Sequence, residues 1–123
     1  MKIGLLDACI AIDVLRGLDR AGGALRGFDQ LAASEVTRFE ILAGVKAGEE
    51  RATEDLFDVV QWLPVDEGVA RTAGSLARRY RPSDSGIDDA DYLVAATAIE
   101  YGARLLTTNV RHFPMLEGLR AAY

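Results

Sequence analysis

Cysteine and histidine are nearly absent from this sequence of 123 residues, which contains one of each, Cys9 and His112. A single cysteine cannot form an internal disulfide, and one cysteine with one histidine cannot supply the four nitrogen and sulfur ligands of a structural zinc site. The sequence therefore excludes a disulfide scaffold and a zinc-stapled domain. A chain without disulfides is typical of a reducing compartment, so we expect a cytoplasmic protein.

Long apolar runs and excess positive charge are missing too. No stretch approaches the roughly 18 consecutive apolar residues of a membrane span, and no basic and apolar leader opens the sequence. The 19 acidic residues outnumber the 14 basic ones, for a net charge of −5. This balance excludes a protein that coats duplex nucleic acid through a basic surface, but it allows a nucleic-acid enzyme whose carboxylates hold divalent cations.

The remaining composition, half apolar and 27% charged, fits one domain over residues 1–123. Apolar runs predict strands at residues 2–6, 31–33, 59–65 and 104–107. Helical patterns cover residues 8–16, 36–46, 49–58, 66–77 and 88–102, with a loop at 78–86. Ser34 and Asp66 stand where N-caps belong. Strands that alternate with helices predict a three-layer α/β/α domain with a central parallel sheet of four to five strands.

Three acidic residues stand where such a sheet would bring them together. Asp7 directly follows the first strand, while Glu40 and Asp91 lie early in two helices, beside apolar stripes. Ligands bind beyond the carboxyl ends of parallel strands, so we expect the three carboxylates to meet in one pocket. Like charges at close range raise each other's pKa, and a divalent cation relieves that repulsion. Oxygen ligands favour Mg²⁺ or Mn²⁺ over Zn²⁺, and such a site suits the hydrolysis of phosphate esters.

Four segments carry a family resemblance. They are LLD at residues 5–7, SEVTRFEILAG at 34–44, DYLVAATA at 91–98 and LTTNVRHF at 106–113. In order and spacing they resemble the PIN-domain ribonucleases, and within that family the VapC toxins of bacterial toxin–antitoxin pairs. The resemblance implies a PIN-like fold and an endoribonuclease in which Asp7, Glu40 and Asp91 bind Mg²⁺ or Mn²⁺ and activate water for RNA cleavage.

The resemblance also implies partners, namely an antitoxin whose carboxyl-terminal segment lies across the active site, and a second copy of the chain in a homodimer. One departure concerns the region after the last strand, where many members have an acid. This chain has Asn109 there and His112 three residues later. We therefore predict one well-occupied metal, with Asn109 orienting water or phosphate and with Asp88 or Asp89 as partial substitutes for the missing acid.

Each of the three acids also has an ordinary structural interpretation. Asp7 could be the N-cap of the helix that follows it. Glu40 could be a solvated acid paired with Arg38 or Lys46. Asp91 lies in a first helical turn, where the helix dipole favours negative charge in any case.

Other notable side chains fit more than one role. The arginines at positions 78, 79 and 81 suit either a solvated helix end or a patch that faces RNA. Trp62 and Tyr92 suit packing better than base stacking, and Cys9 suits a small buried side chain.

Three other functions compete with the ribonuclease. A receiver-type signalling domain also binds Mg²⁺ at strand ends, but it needs a lysine after its last strand, and neither Lys2 nor Lys46 stands there. A small-molecule phosphatase needs an Asp-x-Asp after the first strand, where this chain has Asp7, Ala8 and Cys9. A catalytically silent PIN-like module that binds RNA or protein stays open.

Overall fold

The computed structural model describes residues 1–123 and centres on a parallel sheet. Its strands are β1 (Ile3–Leu6), β2 (Gln30–Ser34), β3 (Gln61–Leu63) and β4 (Arg104–Leu106). Their order across the sheet is β3-β2-β1-β4, and Leu6 of β1 lies beside Leu106 of β4. The residues that follow β1 and β4 are therefore neighbours at the carboxyl edge of the sheet.

Helices cover both faces of the sheet. They are α1 (Ala8–Leu15), α2 (Asp19–Ala24), α3 (Glu35–Ala43), α4 (Glu50–Val59), α5 (Glu67–Tyr80) and α6 (Asp89–Tyr101), followed by a 3-10 turn at Val110–His112. Successive strand residues point to opposite faces. Leu5 packs on Val94 of α6, whereas Leu6 packs on Ile10 of α1. The three-layer α/β/α architecture is therefore confirmed, with four strands.

The predicted N-caps at two helix starts are present. The Ser34 hydroxyl accepts a hydrogen bond from the Val36 N–H at 3.1 Å, and Asp66 accepts one from the Val69 N–H at 2.9 Å. None of the helices is both long enough and apolar enough to cross a membrane.

Element ends account for most differences from the sequence predictions. Helix α3 ends at Ala43, with Gly44 as its C-cap, so the predicted helix over 36–46 is too long. Helix α5 continues to Tyr80, so the predicted loop at 78–86 begins too early. Arg78 and Arg79 lie in the last turn of α5, where basic side chains stabilise the negative end of a helix.

Two aromatic side chains are packed, as predicted. Tyr92 is almost completely buried, and Trp62 packs edge-on against Phe57 with ring centroids 4.9 Å apart. The Trp62 indole N–H donates to the Phe57 carbonyl at 3.1 Å. Cys9 is half-buried rather than buried, because it lies at the start of α1 beside the carboxyl edge of the sheet.

Candidate active site

Asp7 connects β1 to α1 and is buried, with 7% of its surface exposed. Its Oδ1 accepts a hydrogen bond from the Ala8 N–H at 2.9 Å, so the N-cap interpretation is confirmed. Its Oδ2 accepts a second hydrogen bond, from the Thr107 hydroxyl, at 2.7 Å. Capping thus uses only one carboxylate oxygen, and the other is oriented by a residue 100 positions away in the chain.

Thr107 links Asp7 to the predicted site residue Asn109. Thr107 directly follows β4 and is fully buried, and its hydroxyl oxygen accepts the Asn109 N–H at 3.0 Å. Because β1 and β4 pair in parallel, this short chain of hydrogen bonds crosses the carboxyl edge of the sheet. The structure therefore brings Asn109 close to Asp7 through its backbone, and the Asn109 side-chain amide forms no hydrogen bond within the protein.

Replacing Thr107 with valine tests this link. We expect the change to destabilise the protein by about 1–3 kcal/mol, because it leaves the Asn109 N–H without its partner and leaves the buried Asp7 Oδ2 with only the weak Cys9 thiol donor at 3.6 Å. If Asp7 binds Mg²⁺, the affinity should also fall by about 10- to 100-fold, as when other carboxylate ligands lose a supporting hydrogen bond. Thermal melting and Mg²⁺ titration calorimetry measure the two effects.

Thr53→Val is the matched control, because Thr53 is equally buried and donates to the Glu49 carbonyl within α4, away from this edge. It should lower stability and leave Mg²⁺ affinity unchanged. Equal affinity losses in the two variants would contradict a specific role for the Thr107 hydroxyl.

Asp91 lies in the first turn of α6 and forms a reciprocal capping box with Asp88, the N-cap residue of that helix. The Asp91 N–H donates to Asp88 Oδ1 at 3.0 Å, and the Asp88 N–H donates to Asp91 Oδ2 at 3.2 Å. His112 Nδ1 lies 3.3 Å from the same Asp91 Oδ2. The aspartates three residues apart are a sequence signature of such a box, whereas the contact with His112 arises from the tertiary fold and has no local signal.

Glu40 on α3 is half-buried and forms no hydrogen bond or ion pair with the protein. Arg38 binds Glu35 instead, at 2.6 Å, and its guanidinium lies 4.1 Å from the centroid of the Trp62 ring. Lys46 forms no ion pair either. The interpretation of Glu40 as one member of a surface ion pair is therefore wrong, because its candidate partner Arg38 is held elsewhere.

Electrostatics shows that the acids face one another. Burial raises the pKa of Glu40 to about 7, and the negative charges of Asp7, Asp88 and Asp91 add to the rise. Burial also raises the pKa of Asp91 to about 6; the charges of Asp88 and Asp7 act in the same direction, while the Asp88 N–H and His112 oppose them. We call Asp7, Glu40, Asp88 and Asp91 the acid cluster.

The carboxylates of the acid cluster do not converge on one common point. No group of three or more His, Cys, Asp and Glu side chains lies at ligating distance from a common centre. The donor chemistry nevertheless fits a hard cation, because all the facing groups are carboxylates and burial with mutual repulsion raises the pKa of Glu40 and Asp91. That Asp7, Glu40 and Asp91 share one metal stays a prediction.

Asp89, the other suggested substitute for a fourth acid, lies outside the acid cluster. Its Oδ1 is 2.5 Å from an Arg81 guanidinium nitrogen. Only Asp88 of the two neighbouring aspartates therefore acts on Glu40 and Asp91.

Comparison with known proteins gives consistent matches. The PIN domain family matches residues 4–117. Ribonuclease VapC19 of Mycobacterium tuberculosis is 53% identical, and the match covers 97% of this chain and 98% of that protein. Ribonuclease VapC10 of the same organism is 38% identical over 97% of this chain and 92% of its own length. A solved toxin-antitoxin complex from Klebsiella pneumoniae contains a chain with a TM-score of 0.85 and 25% identity, covering 98% of both chains.

Proposed function

Because the chain belongs to the PIN-domain family, we propose that it is a VapC-type endoribonuclease, the toxin of a toxin–antitoxin pair. We propose that residues 1–123 form one such domain, which hydrolyses phosphodiester bonds in RNA with the help of Mg²⁺ or Mn²⁺. Support comes from relatives that carry the name ribonuclease and match nearly the full length of this chain.

One observation carries the assignment of the site, namely that the half-buried Glu40 faces the carboxylates of Asp7, Asp88 and Asp91 without a hydrogen bond or ion pair to the protein. Burial and these three charges raise its pKa to about 7. Such an arrangement is unfavourable by itself, and a hard cation would stabilise it. Asp7, Glu40 and Asp91 are the proposed ligands. When bound, the cation would supply Lewis-acid chemistry, lowering the pKa of water and neutralising charge on the phosphate.

The neighbouring residues would hold these ligands in place. The Thr107 hydroxyl fixes Asp7 Oδ2, and the Asp88 N–H and His112 both approach Asp91 Oδ2. The Asn109 side chain has no partner within the protein, so its amide is available to orient water or a phosphate oxygen. Asn109 therefore takes a positioning role in place of a fourth acid, consistent with a single cation.

The proposed partners are an antitoxin, whose carboxyl-terminal segment would lie across the acid cluster, and a second copy of the chain. The solved neighbours include toxin–antitoxin complexes. Phe39 and Leu42, on the same helix as Glu40, leave 70% and 49% of their surfaces exposed. Exposed apolar residues beside an active site favour a protein partner there. Cys9 is a free thiol, as suits the cytoplasm, where we place the protein.

The test is RNA cleavage with and without divalent cations. We expect the purified chain to cut a labelled single-stranded RNA internally in Mg²⁺ or Mn²⁺, to stop in EDTA, and to resume when Mg²⁺ exceeds the chelator. RNA binding without cleavage in either metal would contradict the proposal and favour the silent module. Sedimentation that finds a monomer at micromolar concentration, alone and with the antitoxin, would contradict the proposed partners.

A further inference from the structure

Residues 120–123 return to the carboxyl edge of the sheet and contact it at two points. Strand β4 is an edge strand, because β1 is its only neighbour in the sheet. Directly after β4, the Thr107 carbonyl accepts a hydrogen bond from the Ala122 N–H at 2.9 Å. The Tyr123 hydroxyl donates to Asp13 Oδ2 on α1. These residues therefore connect the end of β4 to α1.

The Tyr123 side chain is packed as well as hydrogen-bonded. Its ring packs against the buried apolar cluster that contains Leu6 and Leu106, the last residues of β1 and β4. Burial raises the pKa of Tyr123 above its ordinary value, and the hydrogen bond to Asp13 and the charge of Asp13 add to the rise. The hydroxyl is therefore a neutral donor on a ring that the core holds in place.

The contact between Tyr123 and Asp13 lies on the side of α1 that faces the candidate site. Cys9 and Asp13 are four residues apart, so they occupy the same face of this helix. Cys9 Sγ lies 3.6 Å from Asp7 Oδ2 and 3.6 Å from the Thr107 hydroxyl oxygen. Negative charge at Cys9 would raise the pKa of Tyr123 further, because the two side chains are close.

The contacts form a closed ring around the start of α1. The Thr107 hydroxyl donates to Asp7 Oδ2 at 2.7 Å, and helix α1 leads from Asp7 to Asp13. The Tyr123 hydroxyl then leads back to Thr107 through the N–H of Ala122. A closed ring restrains its members more than an open chain does, because none of them can shift without breaking a contact.

We propose that Tyr123 is a positioning residue for Asp7: its contact with Asp13 holds the Ala122 backbone against Thr107, and the Thr107 hydroxyl holds Asp7 Oδ2. The inference rests on the proposed function and adds to it a support behind one metal ligand. Such support matters because the groups of a catalytic site must be held to within about 0.5 Å of their working positions.

Tyr123→Phe tests the proposal, because it removes the hydroxyl and keeps the packed ring. We expect Mg²⁺ affinity and kcat to fall about tenfold each, at the low end of the effect of losing an outer support of a metal ligand. The KM for RNA should stay unchanged. In EDTA the Asn109 amide, which the Thr107 hydroxyl accepts, should exchange faster with deuterium. Titration calorimetry, steady-state cleavage and NMR exchange measure these effects.

Two further variants serve as controls. Tyr101→Phe is the matched control, because the Tyr101 hydroxyl donates to Asp66 at 3.4 Å, and neither residue belongs to the acid cluster. It should leave Mg²⁺ affinity unchanged. Asp13→Asn should also keep wild-type values, because the asparagine oxygen can still accept the Tyr123 hydroxyl, whereas Asp13→Ala should repeat the loss. The double variant Tyr123→Phe/Asp13→Ala should be no weaker than either single variant, because all three lack the same contact.

The outcomes separate the positioning role from the proposed function. A lower melting temperature in Tyr123→Phe with wild-type Mg²⁺ affinity and Asn109 exchange would overturn the role and leave a contact that only stabilises the fold. Equal losses of Mg²⁺ affinity in Tyr101→Phe would overturn it too. A wild-type chain that cleaves no RNA would contradict the ribonuclease proposal instead, and Asn109 exchange, measured without metal or RNA, would still decide the role of Tyr123.

Discussion

Replacing Asp7 with asparagine should lower the rate of Mg²⁺-dependent RNA cleavage at least a hundredfold while leaving the protein folded. Asparagine has nearly the same shape, and its side-chain oxygen can still accept the Ala8 N–H, as Asp7 Oδ1 does. The amide nitrogen would then face the Thr107 hydroxyl in place of Oδ2. What the variant loses is the negative charge and the second oxygen ligand that a cation needs.

The measurement is a cleavage time course on a labelled RNA, accompanied by thermal melting and Mg²⁺ titration. Asp58→Asn is the matched control, since Asp58 is exposed on α4 and lies outside the acid cluster. The control should cleave RNA at the wild-type rate. A folded Asp7→Asn variant that retains wild-type cleavage would contradict the proposed catalytic role of Asp7. Growth inhibition in cells that express the variant is an independent measurement.

The second large effect concerns stability and pH. In EDTA the protein should be more stable at about pH 5 than at about pH 8. The pKa of Glu40 is about 7 in the folded protein, against 4.5 ordinarily, and that of Asp91 is about 6, against 3.8. Folding thus favours their protonated forms, and this stabilisation is complete below the ordinary values and is lost as the pH rises through about 6 to 7.

The expected loss is about 1–3 kcal/mol for the two groups together, after a reduction for the partial exposure of both side chains to solvent. For a domain of this size the melting temperature should fall by about 5 °C or somewhat more. Mg²⁺ should have the opposite dependence, because it binds the ionised carboxylates. It should raise the melting temperature more at pH 8 than at pH 5.

Glu40→Gln separates this effect from ordinary acid–base behaviour of the surface. The variant should melt at a higher temperature than the wild type at pH 8 in EDTA, because it removes one of the repelling charges. Glu54→Gln is the control, because Glu54 is exposed on α4, and its melting temperature at pH 8 should equal that of the wild type. If the melting temperature of the wild type and of Glu40→Gln changes equally with pH, the carboxylates do not repel one another as the geometry indicates.

The sequence alone predicts the parts of this molecule that depend on local patterns. The strand after residue 2, the alternation of strands and helices, and the positions of Asp7 and Asp91 at element starts all follow from apolar runs and capping residues. Helix ends were less predictable. Gly44 and Gly48 are both plausible stops for α3, and only the folded chain shows that Gly44 is used.

Local sequence patterns do not predict contacts between residues that are distant in the chain. The hydroxyl of Thr107 is directed at Asp7 because β1 and β4 pair in register, and that pairing depends on the complete sheet. His112 approaches Asp91 because the turn after β4 folds back toward the start of α6.

Asp91 has two roles that use the same carboxylate. Its Oδ2 accepts the Asp88 N–H and thereby helps to start α6, yet the same carboxylate belongs to the acid cluster. Any ligand that draws Oδ2 away weakens the first turn of the helix. The amide proton of Asp88 should then exchange faster with deuterium, so that its exchange rate reports whether the acid cluster holds a ligand.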